Sequence, residues 1–284
     1  MQKENKVLKK LLILENILIT FVAFYFLLKL EKFAYNLFFY FKNIIPLFID
    51  NIYLVILSLL SLVLIILLHI ILWFEIFKIN NEQKSVKEVI EIYFKIHAKR
   101  TFSPLGPISP ILNIDSNLKK STLIYFHYSA VIFLGSSLFF LIFLLYRLPF
   151  LLIITFVFYL IIFLILKETV FKNIKIFEIT KLLLISVLLE LISFIAFIYC
   201  VYIFKNNLDI STLLISYLIW VLISTISPFL YGTGAGESLA TLFIYYSGYN
   251  PYSFLISILY YRLLTTYLPI LGIMIPEKYL TKNK

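Results

Sequence analysis

The stretch SPFLYGTGAGE, Ser227 to Glu237, decides how this chain has to be read. It holds a proline, three of the chain's seven glycines and a carboxylate, and apolar sequence flanks it on both sides. The following piece, AGESLATLFIYYS over 235–247, is apolar but short. At 1.5 Å per residue it covers about 20 Å, against the roughly 30 Å of a bilayer's hydrocarbon core. A helix that enters a membrane, breaks near the midplane and returns as a half-helix accounts for both features. Gly232, Gly234 and Gly236 permit positive φ and close approach of a ligand to the backbone. A half-helix starting near Ala235 would aim free N–H groups and the positive end of its dipole at the break. Glu237 falls in the first turn, where that dipole favours a carboxylate.

The rest of the chain fits a membrane setting. Hydrophobic residues make up 62% of the 284 and charged residues 14%, whereas soluble domains run near half apolar and a quarter charged. Seven segments have the length and polarity of spans: 9–30, 53–77, 121–145, 148–167, 179–204, 210–227 and 251–275. The expected fold is therefore all-α: a polytopic membrane helix bundle of about seven full spans plus re-entrant half-helices, forming one integral membrane domain over 1–284. The segment 33–49, with Lys42 and Pro46 among its aromatics, reads as an interfacial or re-entrant helix. The N-terminal apolar run is longer than a signal-peptide core and no small-residue cleavage site follows it, so it reads as a retained first span.

Lys and Arg set the expected orientation. The pieces 1–10, 78–100, 167–181 and 276–284 carry 17 of them, against 5 in 29–52, 146–149 and 205–209. Both termini are then cytoplasmic, in the inner cell membrane. The net charge of +10 lies in short segments between apolar runs. That distribution suits anionic lipid headgroups and argues against nucleic acid. The cytoplasmic piece SVKEVIEIYFKIHAKR predicts an amphipathic helix over 85–99, with Val86, Val89, Ile90, Tyr93 and Ile96 on one face and Arg100 at its end. A first Pro/Gly loop, 103–113, follows and contains Pro104, Gly106, Pro107 and Pro110. FSPLGPISP there and ISPFLYGTG in the second loop share an apolar-Ser-Pro start. They raise the reading of an inverted repeat, with broken helices meeting at the midplane.

Glu15, Glu190, Glu237 and Arg262 are formal charges inside apolar runs. Arg262 lies about 16 Å into the last span, where an isolated charge costs about 3 kcal/mol on insertion scales. Glu237 is the expected partner and Glu190 the competing one. Two roles stay open for the pair: a clamp that holds the hairpin, or a site in which Arg262 holds an anionic headgroup and Glu237 positions it or relays protons. Other chemistry finds little support. His69, His97 and His127 lack metal-ligand spacing, no serine sits in GxSxG, and GTGAGE lacks the GK[ST] ending of a phosphate loop. Cys200 is the one cysteine. No metal, cofactor or catalytic constellation is expected.

The segment 226–272 resembles the transmembrane (flippase-domain) region of the lysylphosphatidylglycerol synthase family. Pro228, Gly232, Gly234 and Glu237 match that family's PGGxGxxE loop, Gly248 its turn, and Tyr261, Arg262 and Pro269 its last helix. Leu230 and Tyr231 depart, standing where the family has Pro-Gly. The earlier Pro/Gly loop is similar in layout. The resemblance implies a stand-alone member without the soluble synthase domain, since the chain ends at Lys284 soon after its last span. It implies lipid handling: a transporter or flippase-like protein that binds an anionic phospholipid or polyprenyl-phosphate headgroup. The substrate-binding residues expected on these grounds are Arg262, Glu237, Gly232, Gly234, Gly236, Pro228, Tyr261, Pro104, Gly106 and Arg100. An intramembrane enzyme acting on lipid phosphate, with Glu237 as general base, is one alternative. A non-transporting subunit of a glycosyltransferase or aminoacyltransferase is another. Protein partners stay open between a second copy of the chain and a membrane enzyme.

Overall fold

The computed structural model describes residues 42–102, 118–147, 149–226 and 235–269. The expected first span, the loop at 103–113, the glycine loop at 228–234 and the C-terminal segment past 269 lie outside the described residues. Nine α-helices run through what is described: α1 Ile44–Asp50, α2 Ile52–Ile79, α3 Val86–Phe102, α4 Leu118–Arg147, α5 Pro149–Thr169, α6 Ile176–Ile203, α7 Ile210–Ile226, α8 Ala235–Tyr246 and α9 Pro251–Arg262. A π-helical turn, Leu263–Tyr267, continues α9. No strand occurs among the described residues.

Among the described residues three stretches are long and apolar enough to cross a membrane: Ile52–Ile79, Lys120–Leu141 and Ile176–Ile203. Helix α2 leaves Leu60, Val63, Leu64 and Leu67 exposed, and α5 leaves Phe156, Phe158, Ile161 and Leu164 exposed. Apolar belts of this size on a polypeptide mark surfaces that meet lipid or protein, not water. Hydroxyls inside these helices find acceptors in their own backbone. Ser137, Thr169 and Thr180 each donate to the carbonyl four residues back, at 2.8, 2.7 and 3.0 Å. That local bond is the cheapest way to satisfy a polar group in hydrocarbon.

The helix ends follow from local chemistry. Ser85 and Glu88 form a capping box on α3: the Glu88 carboxylate accepts from the Ser85 N–H at 2.7 Å, and the Ser85 hydroxyl accepts from the Glu88 N–H at 3.3 Å. Helix α8 stops at Gly248, whose φ of +84° lets Gly248 N–H reach Tyr245 O at 3.0 Å and Tyr249 N–H reach Ile244 O at 3.1 Å. That is a Schellman ending, and Gly takes its left-handed position without steric cost. Two residues on, the Asn250 side chain accepts from Tyr252 N–H at 3.0 Å and caps α9, with Pro251 at the first helical position.

The chain divides into two compact units. One is drawn from Ser61–Ala98, Ile108–Ser193 and Pro269–Lys284. Its core joins Leu72, Trp73 and Phe77 of α2, Val131 and Leu134 of α4, and Phe171 and Ile179. Helix α3 is amphipathic as its period predicts, but the buried stripe is Val89, Ile92, Tyr93 and Ile96. Val86 is exposed and Ile92 replaces it. The stripe packs on protein, so neighbouring side chains set its angle. Within this unit His127 Nε2 donates to the Val170 carbonyl at 2.8 Å, which leaves Nδ1 to accept from Asn80 at 3.0 Å. His69 Nδ1 meets the Tyr128 hydroxyl at 3.0 Å. Both imidazoles are thus engaged: His69 bonds across to α4, and His127 ties α4 to the turns that follow α2 and α5.

The other unit is drawn from Met1–Leu60, Lys99–Pro107 and Phe194–Leu268. Helix α8 packs along α7 and α9. Phe197, Tyr217, Phe254 and Tyr261 meet in its core, with Tyr261 edge-on to Phe197 at 5.5 Å and to Trp220 at 5.4 Å. This aromatic cluster fixes the part of α9 that carries the next residue, Arg262.

Candidate functional site

Glu237 stands in the first turn of α8 and Arg262 is the last residue of α9. Their side chains form an ion pair, Oε1 to Nη1, with each side chain only 3% exposed. Each element has its reason to be there. Helix α8 has 12 residues and so measures about 18 Å, too short to span a bilayer. A carboxylate in its first turn meets the positive end of the helix dipole. Arg262 is carried in by α9, whose other buried positions include Ser253, Phe254, Ser257 and Tyr261. The π-helical turn starts at the residue after Arg262, and π-turns within helices concentrate at functional positions. Thr265 donates to the Tyr261 carbonyl at 2.9 Å across that turn.

Burying a charge pair this fully demands compensation. Each ion loses several kcal/mol of hydration, and mutual attraction repays it only with good geometry and further hydrogen bonds. Two uncharged groups nearby carry hydrogen-bonding capacity that is not spent. Thr241 lies one helical turn beyond Glu237 and is fully buried, and its hydroxyl has no partner among the described residues. The buried indole N–H of Trp220 is in the same condition, while its ring packs against Tyr261. More than nine in ten buried polar groups in native proteins are satisfied. A guanidinium of α9 and a carboxylate and hydroxyl of α8, with the indole of α7 packed on the adjoining Tyr261, make a set suited to a polar or anionic group.

The structure brings together part of the expected set. Arg262 and Glu237 pair, Tyr261 is buried beside them, and Gly236 is buried in the first turn of α8. Pro228, Gly232, Gly234, Pro104 and Gly106 lie outside the described residues. Arg100 falls in the last turn of α3. Glu190, the competing carboxylate, accepts a hydrogen bond from Ser136 Oγ at 2.6 Å. Thr241 and Trp220 went unseen in the sequence. For Thr241 the signal was its position four residues past Glu237 on a helix; for Trp220 no local signal existed.

No protein-family model, curated protein or solved structure matches the chain.

Proposed function

We propose that this protein is a membrane transporter of the flippase kind, which receives an anionic lipid headgroup, a phospholipid or a polyprenyl phosphate, at Arg262. The observation that carries the reading is the buried Arg262–Glu237 pair at the start of a helix too short to span. In the resting protein Glu237 occupies the guanidinium. An arriving phosphate competes for it, using the bidentate geometry that arginine offers to phosphate. The N-terminal turn of α8 and the Thr241 hydroxyl supply further donors. Acyl tails stay in the bilayer. On this reading the chain has about seven spans plus re-entrant half-helices in the inner cell membrane, both termini are cytoplasmic, and an inverted repeat supplies the alternation of access. The similarity of 228–269 to the lysylphosphatidylglycerol synthase transmembrane region supports the same reading.

The test is translocation in reconstituted vesicles. Fluorescent phosphatidylglycerol is followed by accessibility to a membrane-impermeant quencher, with fluorescent phosphatidylcholine as the zwitterionic reference. Wild-type protein should move the anionic lipid faster, and Arg262→Ala should abolish that difference. Unchanged, headgroup-selective translocation by Arg262→Ala would remove the residue from the mechanism.

A further inference from the structure

A second site lies away from Arg262, at the end of the helical bundle where α6 gives way to α7 and α8 to α9. A cleft of about 500 Å³ opens there beside α1, within the 300–1,000 Å³ range of small-ligand sites. Its chemistry is distinctive. Four carboxamides line it, from Asn43, Asn206, Asn207 and Asn250. Its two formal charges, Lys205 and Asp50, face each other at 3.3 Å and cancel. Tyr249 and Ser253 add hydroxyls, and Pro46, Leu47 and Leu208 give an apolar strip.

We propose that this cleft binds a neutral, polyhydroxylated group: the glycosyl or polyol headgroup of a lipid, or a free sugar of the same chemistry. A carboxamide not spent on the fold, as at the exposed Asn207, offers a donor and an acceptor side by side, which matches neighbouring hydroxyls that each donate and accept, while Asn206 and the Asn250 oxygen are spent on holding the walls. A phosphate would find no uncompensated cation, because the Lys205 ammonium is already held by Asp50. The apolar strip suits the C–H face of a sugar ring.

The walls are built in advance. Asn206 is buried and triply held: its amide donates to Val201 O at 3.2 Å and to Ser257 Oγ at 3.2 Å, and its carbonyl accepts from Ser253 Oγ. Asn51 ties α1 to the end of α6 by donating to Leu47 O at 3.0 Å and Ile203 O at 3.1 Å. The Tyr249 hydroxyl donates to Asp209 at 3.0 Å, which fixes that ring. Lys205 itself sits at φ +57°, a left-handed conformation that is costly for a residue with a Cβ. Strain of this kind persists where the surroundings over-determine it, and it clusters at ligand sites. A cleft with pinned walls loses little entropy on binding. The proposal goes beyond the headgroup site at Arg262 and does not rest on it.

The experiment uses full-length protein in a polyoxyethylene detergent, because maltoside and glucoside detergents would compete. Native mass spectrometry reads binding of monoglucosyl-diacylglycerol and of phosphatidylglycerol, and methyl glucoside is added as the free sugar. The variants are Asn207→Ala, whose side chain is exposed, and Asn43→Ala, whose side chain does not cap α1. Both should leave the fold intact; Asn206→Ala would disturb it. The glucosyl lipid should bind in preference to phosphatidylglycerol, and the combined Asn43→Ala, Asn207→Ala protein should bind it about tenfold more weakly, as expected for two lost hydrogen bonds. Displacement by methyl glucoside, lost in the same variant, supports the chemistry with a soluble source. Binding confined to the lipid-linked sugar supports it with a membrane source. Equal binding of both lipids, or glucosyl-lipid binding that the combined variant leaves unchanged, overturns the proposal.

Discussion

Gly135 of α4 and Ser186 of α6 touch so closely that a Cβ added at 135 would stand 2.1 Å from Ser186 Oγ and 2.4 Å from its Cβ. Small residues at membrane helix contacts allow backbones to approach and gain dispersion and hydrogen bonding where no hydrophobic drive exists between helices. The neighbouring Ser136 then reaches Glu190. Gly135→Ala must push the helices apart, and overpacking of this kind costs about 1–3 kcal/mol. We expect a lowered thermal unfolding midpoint in detergent. Adding Ser186→Gly removes the side-chain overlaps and should recover most of the loss. An alanine at 135 with wild-type stability would mean that α4 and α6 do not approach as described.

The buried ion pair predicts a particular pattern of stability. Arg262→Met or Glu237→Leu alone removes one member of a buried pair, and breaking a buried pair costs about 3–5 kcal/mol. Replacing both partners with apolar residues of similar volume should be close to neutral. Denaturant unfolding of the three variants tests this. Additive losses would show that the two side chains are not coupled. The double variant should also lose headgroup-selective translocation while it keeps its fold, which separates the clamp role from the binding role.

Asp209 gives a pH dependence with a definite sign. It caps α7, accepting from Thr212 Oγ1 at 2.6 Å and Thr212 N–H at 3.1 Å, with Tyr249 also donating to it at 3.0 Å. The Thr212 bonds hold its carboxyl well below the usual carboxylate range. A carboxyl whose folded pKa is depressed stabilises fully above its unfolded value, near 3.9, and loses that contribution as pH falls through the folded value. Stability should therefore decline below about pH 4 in wild type, and decline less in Asp209→Asn. The site is exposed and screened, so the effect belongs at the low end of the roughly 0.5–2 kcal/mol of an N-cap. Matching acid profiles for the two proteins would refute the assignment.

The ending of α8 tests a backbone argument. Nothing lies within 4 Å of a Cβ placed on Gly248, so no clash accompanies a side chain there. The φ of +84° alone resists it. Gly248→Ala should cost about 1 kcal/mol, and Gly248→Asn less, because Asn tolerates left-handed backbone. The readout is limited proteolysis at 246–250 together with the unfolding midpoint. Equal behaviour of Ala and Asn would point away from backbone strain.

Consecutive residues carried a good deal of this protein in plain view. Long apolar runs foretold the helices around 53–77 and 179–204 within a few residues, because hydropathy and helical period are local properties. The start of the last span, read from hydropathy at 251, agrees with the start of α9 for the same reason. Glu237 and Arg262 stood out as charges in sequence too apolar to hold them alone.

Tertiary structure alone decided who meets whom. It placed Arg262 on Glu237 and set the Ser136 hydroxyl against Glu190, pairings that spacing along the chain leaves open. It turned α3 to bury Ile92 in place of Val86, set Gly135 against Ser186, and collected Asn43, Asn206 and Asn250 from three distant segments into one cleft. Lipid tails and protein cores are equally apolar, so a hydrophobic residue does not declare which of them it will face. Partner choice depends on distances between helices, and those are fixed only when the whole chain has packed.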